Sequence, residues 1–145
     1  MSRQFHLLEF LPYLLNQAAE EASASFARVY KARYGLRRTD WRVLFHLGIF
    51  GDLTARDIAE RTREDKTRIS RAVARLEKSA MVSRKPDPED RRAERLSLTS
   101  VGQQVYDDLA QEAARHDAAL EKNLGVRNSD VLRKALIQLA DLPAK

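Results

Sequence analysis

Lys66-Thr-Arg-Ile-Ser-Arg-Ala-Val-Ala-Arg75 decides how this chain is read. The stretch holds four cations and no acid. Ile69, Ala72, Val73 and, one turn on, Leu76 recur at the i, i+3, i+4, i+7 spacing of one helix face, so that side can dock on a core. Lys66, Thr67, Ser70, Arg71, Ala74 and Arg75 then point away from it. A long basic face carrying short hydrogen-bonding side chains suits a helix laid in a DNA major groove. Its cations meet phosphates, and Ser, Thr or Arg reach base edges. The plainer alternative is a solvated charged surface, and the neighbouring segments decide between the two.

Upstream, Thr54 can cap a short helix from Ala55 to about Arg61, with Asp57 at the capping-box position and Ile58 and Ala59 facing inward. The link Thr62-Arg63-Glu64 is tight. Helix, turn, helix is the DNA-reading unit whose second member is the opening stretch. Downstream, Pro86-Asp-Pro-Glu-Asp-Arg-Arg92 reads as a loop, and Met81 to Lys85 and Ala93 to Leu98 read as strands on either side. A two-stranded hairpin there is a wing, with Arg91 and Arg92 at its tip. Arginine suits the negative potential of a minor groove.

The outer segments read as helices. Residues 2 to 11 form a mixed arm, Pro12 takes a first helical position, and a long helix runs to about Tyr34 with Gly35 as its stop. Leu8, Leu15, Ala22 and Val29, with Leu11, Ala18 and Ser25 between them, make a heptad-like seam. It serves either dimerisation or packing within the subunit. Thr39 is expected to cap a second helix bearing Trp41, Leu44, Phe45 and Gly48 on one face, and Gly51 ends it. Thr99 caps a helix from Ser100 to about Asn123, stopped by Gly125. Asn128-Ser129-Asp130 is expected to cap the last helix, with Val131, Leu132, Ala135, Leu136 and Leu139 as its apolar stripe. The expected architecture is mostly α with a small β-wing: an N-terminal arm and dimerisation helix over residues 1–35, a winged helix-turn-helix lobe over 36–99, and C-terminal dimerisation helices over 100–145.

At 145 residues, 43% hydrophobic and 32% charged, this is one soluble domain's worth of chain with an accessory element. The net charge is +5. Between Thr54 and Arg95 stand 13 Lys or Arg against 9 Asp or Glu, so nearly all the surplus sits in the central unit. The absence of cysteine excludes disulfides, a thiolate zinc site and a thiol redox switch. No apolar run is long enough for a membrane span and no signal peptide is read, which makes the cytoplasm the expected compartment.

Leu76-Glu77, Val82-Ser83-Arg84, Asp87-Pro88-Glu89-Asp90-Arg91-Arg92, Leu96-Ser97-Leu98-Thr99 and Gly102 together resemble the MarR family of winged-helix transcriptional regulators, in order and over nearly the whole chain. The resemblance implies a homodimer on a pseudo-palindromic operator of double-stranded DNA. It implies base and phosphate contacts from Lys66, Thr67, Arg68, Ser70 and Arg71, and a phosphate clamp at Arg75. It implies a minor-groove contact from Arg92 or Arg91, with Asp90 orienting it, and Arg84 on the same DNA face. Where the family usually has glycine after the recognition helix, this chain has Ala80, which implies a different helix exit or strain.

The resemblance also implies a small-molecule effector, such as an aromatic carboxylate, in a cleft near Phe10, Trp41, Phe45, His46 and Tyr106; the alternative for Trp41 and Phe45 is plain core. The peroxide-sensing branch needs a thiol that this chain lacks. His6, His46 and His116 lack the spacing of a zinc site, and no catalytic constellation or phosphate-cradling glycine loop is present. The expectation is a non-enzymatic repressor without metal or cofactor. Two rivals are a winged-helix protein-binding module and a metal-responsive repressor using the three histidines.

Overall fold

The computed structural model describes residues 4–143. Residues 2 and 3 of the expected arm lie outside them. Six helices and a small three-stranded antiparallel sheet follow in the order α1 (Leu11–Tyr34), α2 (Arg38–Phe50), β1 (Leu53–Thr54), α3 (Ala55–Thr62), α4 (Lys66–Lys78), β2 (Val82–Pro86), β3 (Glu94–Leu98), α5 (Ser100–Leu124) and α6 (Val126–Ala140). A single 3-10 turn, Leu7–Glu9, precedes α1. Residues Ser23–Glu112 form one compact unit; the described residues up to Ala22, with those from Ala113 on, form another.

The core of the Ser23–Glu112 unit follows from the periodicity of α4. Ile69, Ala72, Val73 and Leu76 are all buried. They meet Val43, Leu44 and Leu47 of α2, Ile58 and Ala59 of α3, Leu96 of β3, and Val105 and Leu109 of α5 in one cluster. Thr54 and Asp57 form the expected box at the start of α3: the Thr54 N–H donates to Asp57 Oδ2 at 3.0 Å, and the Asp57 N–H donates to Thr54 Oγ1 at 3.1 Å. This leaves α3 and α4 joined by a turn in which Arg63 is left-handed at φ 56°.

The hairpin carries one strand more than expected. β1 pairs antiparallel with β3 (Leu53 opposite Leu96), and β2 pairs with the other edge of β3 (Arg84 opposite Leu96). Two residues are too few for an alternation to show in sequence, so β1 was invisible there. Three helix starts also differ from expectation. Leu11 precedes Pro12 in α1, so the proline is the second helical residue, where its N–H is still unneeded. The N-cap of α2 is Arg37, not Thr39: Asp40 at the third helical position accepts the Arg37 N–H at 2.8 Å and fixes the start there. The last helix begins at Val126, directly after Gly125 at φ 84°, so Asn128-Ser129-Asp130 lie inside it.

Ala80 takes the left-handed conformation that glycine would favour, φ 58°. Its N–H donates to the Glu77 carbonyl and the Met81 N–H donates to the Leu76 carbonyl, so α4 ends in a Schellman turn with Met81 and Leu76 both buried. The exit is therefore the one a glycine would make, with the strain carried by a methyl group.

Candidate nucleic-acid interface

The two ends of α4 are fixed by different groups. Asp65, which the sequence reading passed over, is its N-cap: Oδ1 accepts the N–H groups of Thr67 at 2.7 Å and Arg68 at 3.3 Å. Those bonds hold the Asp65 carboxyl below its ordinary range. Its position directly before the apolar-periodic run was the signal that could have found it. At the other end, Thr99 Oγ1 donates to the Ala80 carbonyl at 2.6 Å and the Thr99 N–H donates to the Met81 carbonyl at 3.0 Å. The same Oγ1 accepts the Gly102 N–H at 3.0 Å, the expected cap of α5. A Cβ on Gly102 would overlap the Met81 carbonyl, so α5 can start here only over a glycine.

Between those anchors Lys66, Thr67, Arg68, Ser70, Arg71 and Ala74 are exposed along one side of α4, opposite its buried stripe. Arg75 differs. Asp40, only 2% exposed, receives Nε of Arg75 at 3.0 Å and Nη2 at 2.7 Å. Arg75 is thus half of a paired, part-buried clamp between α4 and α2, with a third of its side chain open to solvent. No sequence signal links the two residues.

In the wing, Asp87 caps the tip turn by accepting the Glu89 N–H at 3.1 Å, and Arg95 Nε approaches it at 3.4 Å. Asp90 accepts the backbone N–H of Arg92 at 2.9 Å, so its hold on that arginine runs through the main chain. Arg91 and Arg92 are exposed at the tip, and neither side chain makes an ion pair among the described residues. Arg84 Nε donates to Glu77 Oε2 at 2.9 Å, tying β2 to the end of α4.

Of the residues expected near an effector, the structure brings three together. Trp41 and Phe45 meet edge-to-face at 5.2 Å, as do Phe45 and Tyr106. Phe26 and Tyr30 complete this ring cluster, which packs on the core. His46 is elsewhere, its Nδ1 at 2.7 Å from the Arg42 carbonyl and its ring beside Phe50. Phe10 belongs to the other unit, edge-on to Phe5 at 5.4 Å. Among the described residues no group of three or more His, Asp or Glu is placed to hold a metal ion, and no helix is long and apolar enough to cross a membrane.

Residues 34–93, which hold the helix-turn-helix and most of the wing, match the family model described as "MarR family". Over these residues the chain matches the MarR family. MarR proteins are transcriptional regulators, not enzymes, and bind DNA and small-molecule ligands. The HTH-type transcriptional regulator FarR of Neisseria gonorrhoeae is 27% identical over 88% of this chain and 87% of its own length. The MarR family transcriptional regulator SPO1453 from Silicibacter pomeroyi superposes with a TM-score of 0.79 at 29% identity, over 94% of this chain and 99% of that one. NadR, solved in complex with 4-hydroxyphenylacetate, superposes with a TM-score of 0.79 at 25% identity, over 99% of both chains.

Proposed function

We propose that this MarR-family regulator is a repressor that binds a pseudo-palindromic operator as a homodimer and is released by a small aromatic anion. The observation that carries the DNA reading is the solvent face of α4. Lys66, Thr67, Arg68, Ser70 and Arg71 stand exposed on a helix whose opposite face is wholly buried. The recognition helix enters the major groove, and Arg91 and Arg92 of the wing follow the backbone towards the minor groove. Two such lobes, about 34 Å apart, read successive grooves on one side of the duplex.

The dimer reading rests on uncovered apolar side chains. Val131, Leu132, Leu136 and Leu139 of α6, and Leu7, Leu8 and Leu11 near the N-terminus, are all exposed in the single chain. Apolar side chains left uncovered on the terminal segments in this number mark an interface. The effector reading is supported by the aromatic acid bound to NadR. Such a ligand relieves repression only if it binds the DNA-free state more tightly than the DNA-competent one.

Arg71→Ala is expected to lower affinity for the chain's own promoter DNA at least tenfold in a gel-shift titration, while sedimentation still reports a dimer. Unchanged DNA binding would refute the assignment of the α4 face. Binding of an acidic protein by this face, with none of duplex DNA at low salt, would favour a protein-binding module instead.

A further inference from the structure

We propose that a notch between the start of α2 and the side of α4 is a binding site for a phosphate group. This rests on the DNA-binding reading and extends it to residues outside the recognition helix and the wing. The notch has a volume of about 300 Å³ and is lined by Arg37, Arg38, Thr39, Arg68, Arg71 and Arg75. Five arginines therefore line one small space. Only Arg75 is ion-paired; Arg37, Arg38, Arg68 and Arg71 make no ion pair among the described residues. Two carboxylates lie nearby and both are occupied: Asp40 by Arg75 and the Arg37 N–H, and Asp65 by the N–H groups of Thr67 and Arg68.

Like charges so gathered repel one another, and the repulsion is relieved by an anion that enters between them. Guanidinium forks match the oxygens of a phosphate, to which they donate in pairs. Two further donors face the same end of α2. The N–H groups of Arg38 and Thr39 precede the first backbone bond of the helix, which runs from the Trp41 N–H to the Arg37 carbonyl. The Thr39 hydroxyl makes no hydrogen bond among the described residues.

The wall formed by Arg68 and Arg71 belongs to the exposed face of α4, so the phosphate that reaches this notch is one of the DNA backbone beside the groove. Arg37 and Arg38 then act as the second jaw of a clamp that sets the angle at which α4 enters. Asp40 is a positioning residue, holding Arg75 by Nε and Nη2 at the notch wall. A free phosphoanion has the same chemistry, and the experiment separates the two sources.

Arg37 and Arg38 are exposed, so the double variant R37A/R38A should fold, as circular dichroism will report. Fluorescence anisotropy of labelled promoter duplex, repeated across a KCl series, reads the salt dependence of binding. The slope of log K against log salt is expected to fall by about 0.9 for each notch emptied. In parallel, sodium pyrophosphate is titrated in a thermal-shift assay against NaCl of equal ionic strength. Wild type is expected to gain stability that the double variant does not. An unchanged slope with no pyrophosphate response in either protein overturns the site. A pyrophosphate response lost in the variant, with the slope unchanged, overturns DNA as the source and assigns the notch to a free phosphoanion. Failure of wild type to bind duplex at all overturns the parent reading instead.

Discussion

Asp40 and Arg75, 35 residues apart in sequence, form a two-pronged ion pair with Nη2···Oδ1 at 2.7 Å and Nε···Oδ1 at 3.0 Å. One carboxylate thus starts α2 and holds α4 against it. Removing either partner leaves the other in a place built for two. Arg75→Met strands a carboxylate that is 2% exposed and should cost about 3 kcal/mol. Asp40→Ala should cost less, about 2 kcal/mol, because Arg75 can turn to water. Urea unfolding of both single variants and the double variant should give a coupling energy above about 1 kcal/mol. Additive effects would show that the pair does not hold α2 to α4.

Ala80 is held at φ 58° in a turn that glycine adopts without strain. Ala80→Gly should therefore stabilise the protein by about 1 kcal/mol, the left-handed penalty outweighing the added entropy of the unfolded chain. The midpoint of urea unfolding should rise with an unchanged slope. A fall in the midpoint would show that the alanine methyl contributes contacts that outweigh its strain.

Gly102 sits where a side chain would meet the Met81 carbonyl. Gly102→Ala forces backbone apart rather than a flexible side-chain tip, and should cost about 3 kcal/mol or more. Gly48→Ala is a useful comparison: its methyl would press on the Tyr106 ring, which can move. Its loss, read by thermal melting, should be the smaller of the two.

Asp57 accepts the Thr54 N–H, and that backbone bond is the largest cause holding its carboxyl below the ordinary range, against the opposing effect of burial. The folded value is lowered, so the stability this group contributes is complete above the unfolded value of about 4 and is lost as pH falls through the folded value. Asp57→Asn should accordingly be less stable than wild type at pH 7, with the gap closing on acidification below about pH 4. Parallel stability curves across that range would show that the box does not titrate as described.

The elements that a periodic pattern can announce were legible. The stripe Ile69, Ala72, Val73 and Leu76 is the buried face of α4, Thr54 and Asp57 cap α3, Thr99 caps α5, and two strands flank a proline-rich loop. What escaped depends on distance. Asp40 carries no local mark of its role because its partner lies on another helix, and Leu53–Thr54 is a strand only because Leu96 and Arg95 lie beside it. Arg37 and Arg38 were passed over because two arginines before a helix look like ordinary solvated charge; only the folded chain sets them opposite Arg68 and Arg71. Among the effector candidates, Trp41, Phe45 and Tyr106 cluster, while His46 on the same helix turns to a different side.

Thr99 is a rivet through three parts. Its hydroxyl and its amide fasten α5 to the tail of α4 and the root of the wing, and the missing side chain of Gly102 lets them touch without a spacer. The first turn of α5 is thereby joined to the tail of α4 with almost no slack. A substitution at that joint would be felt at once by both helices and by the strand between them.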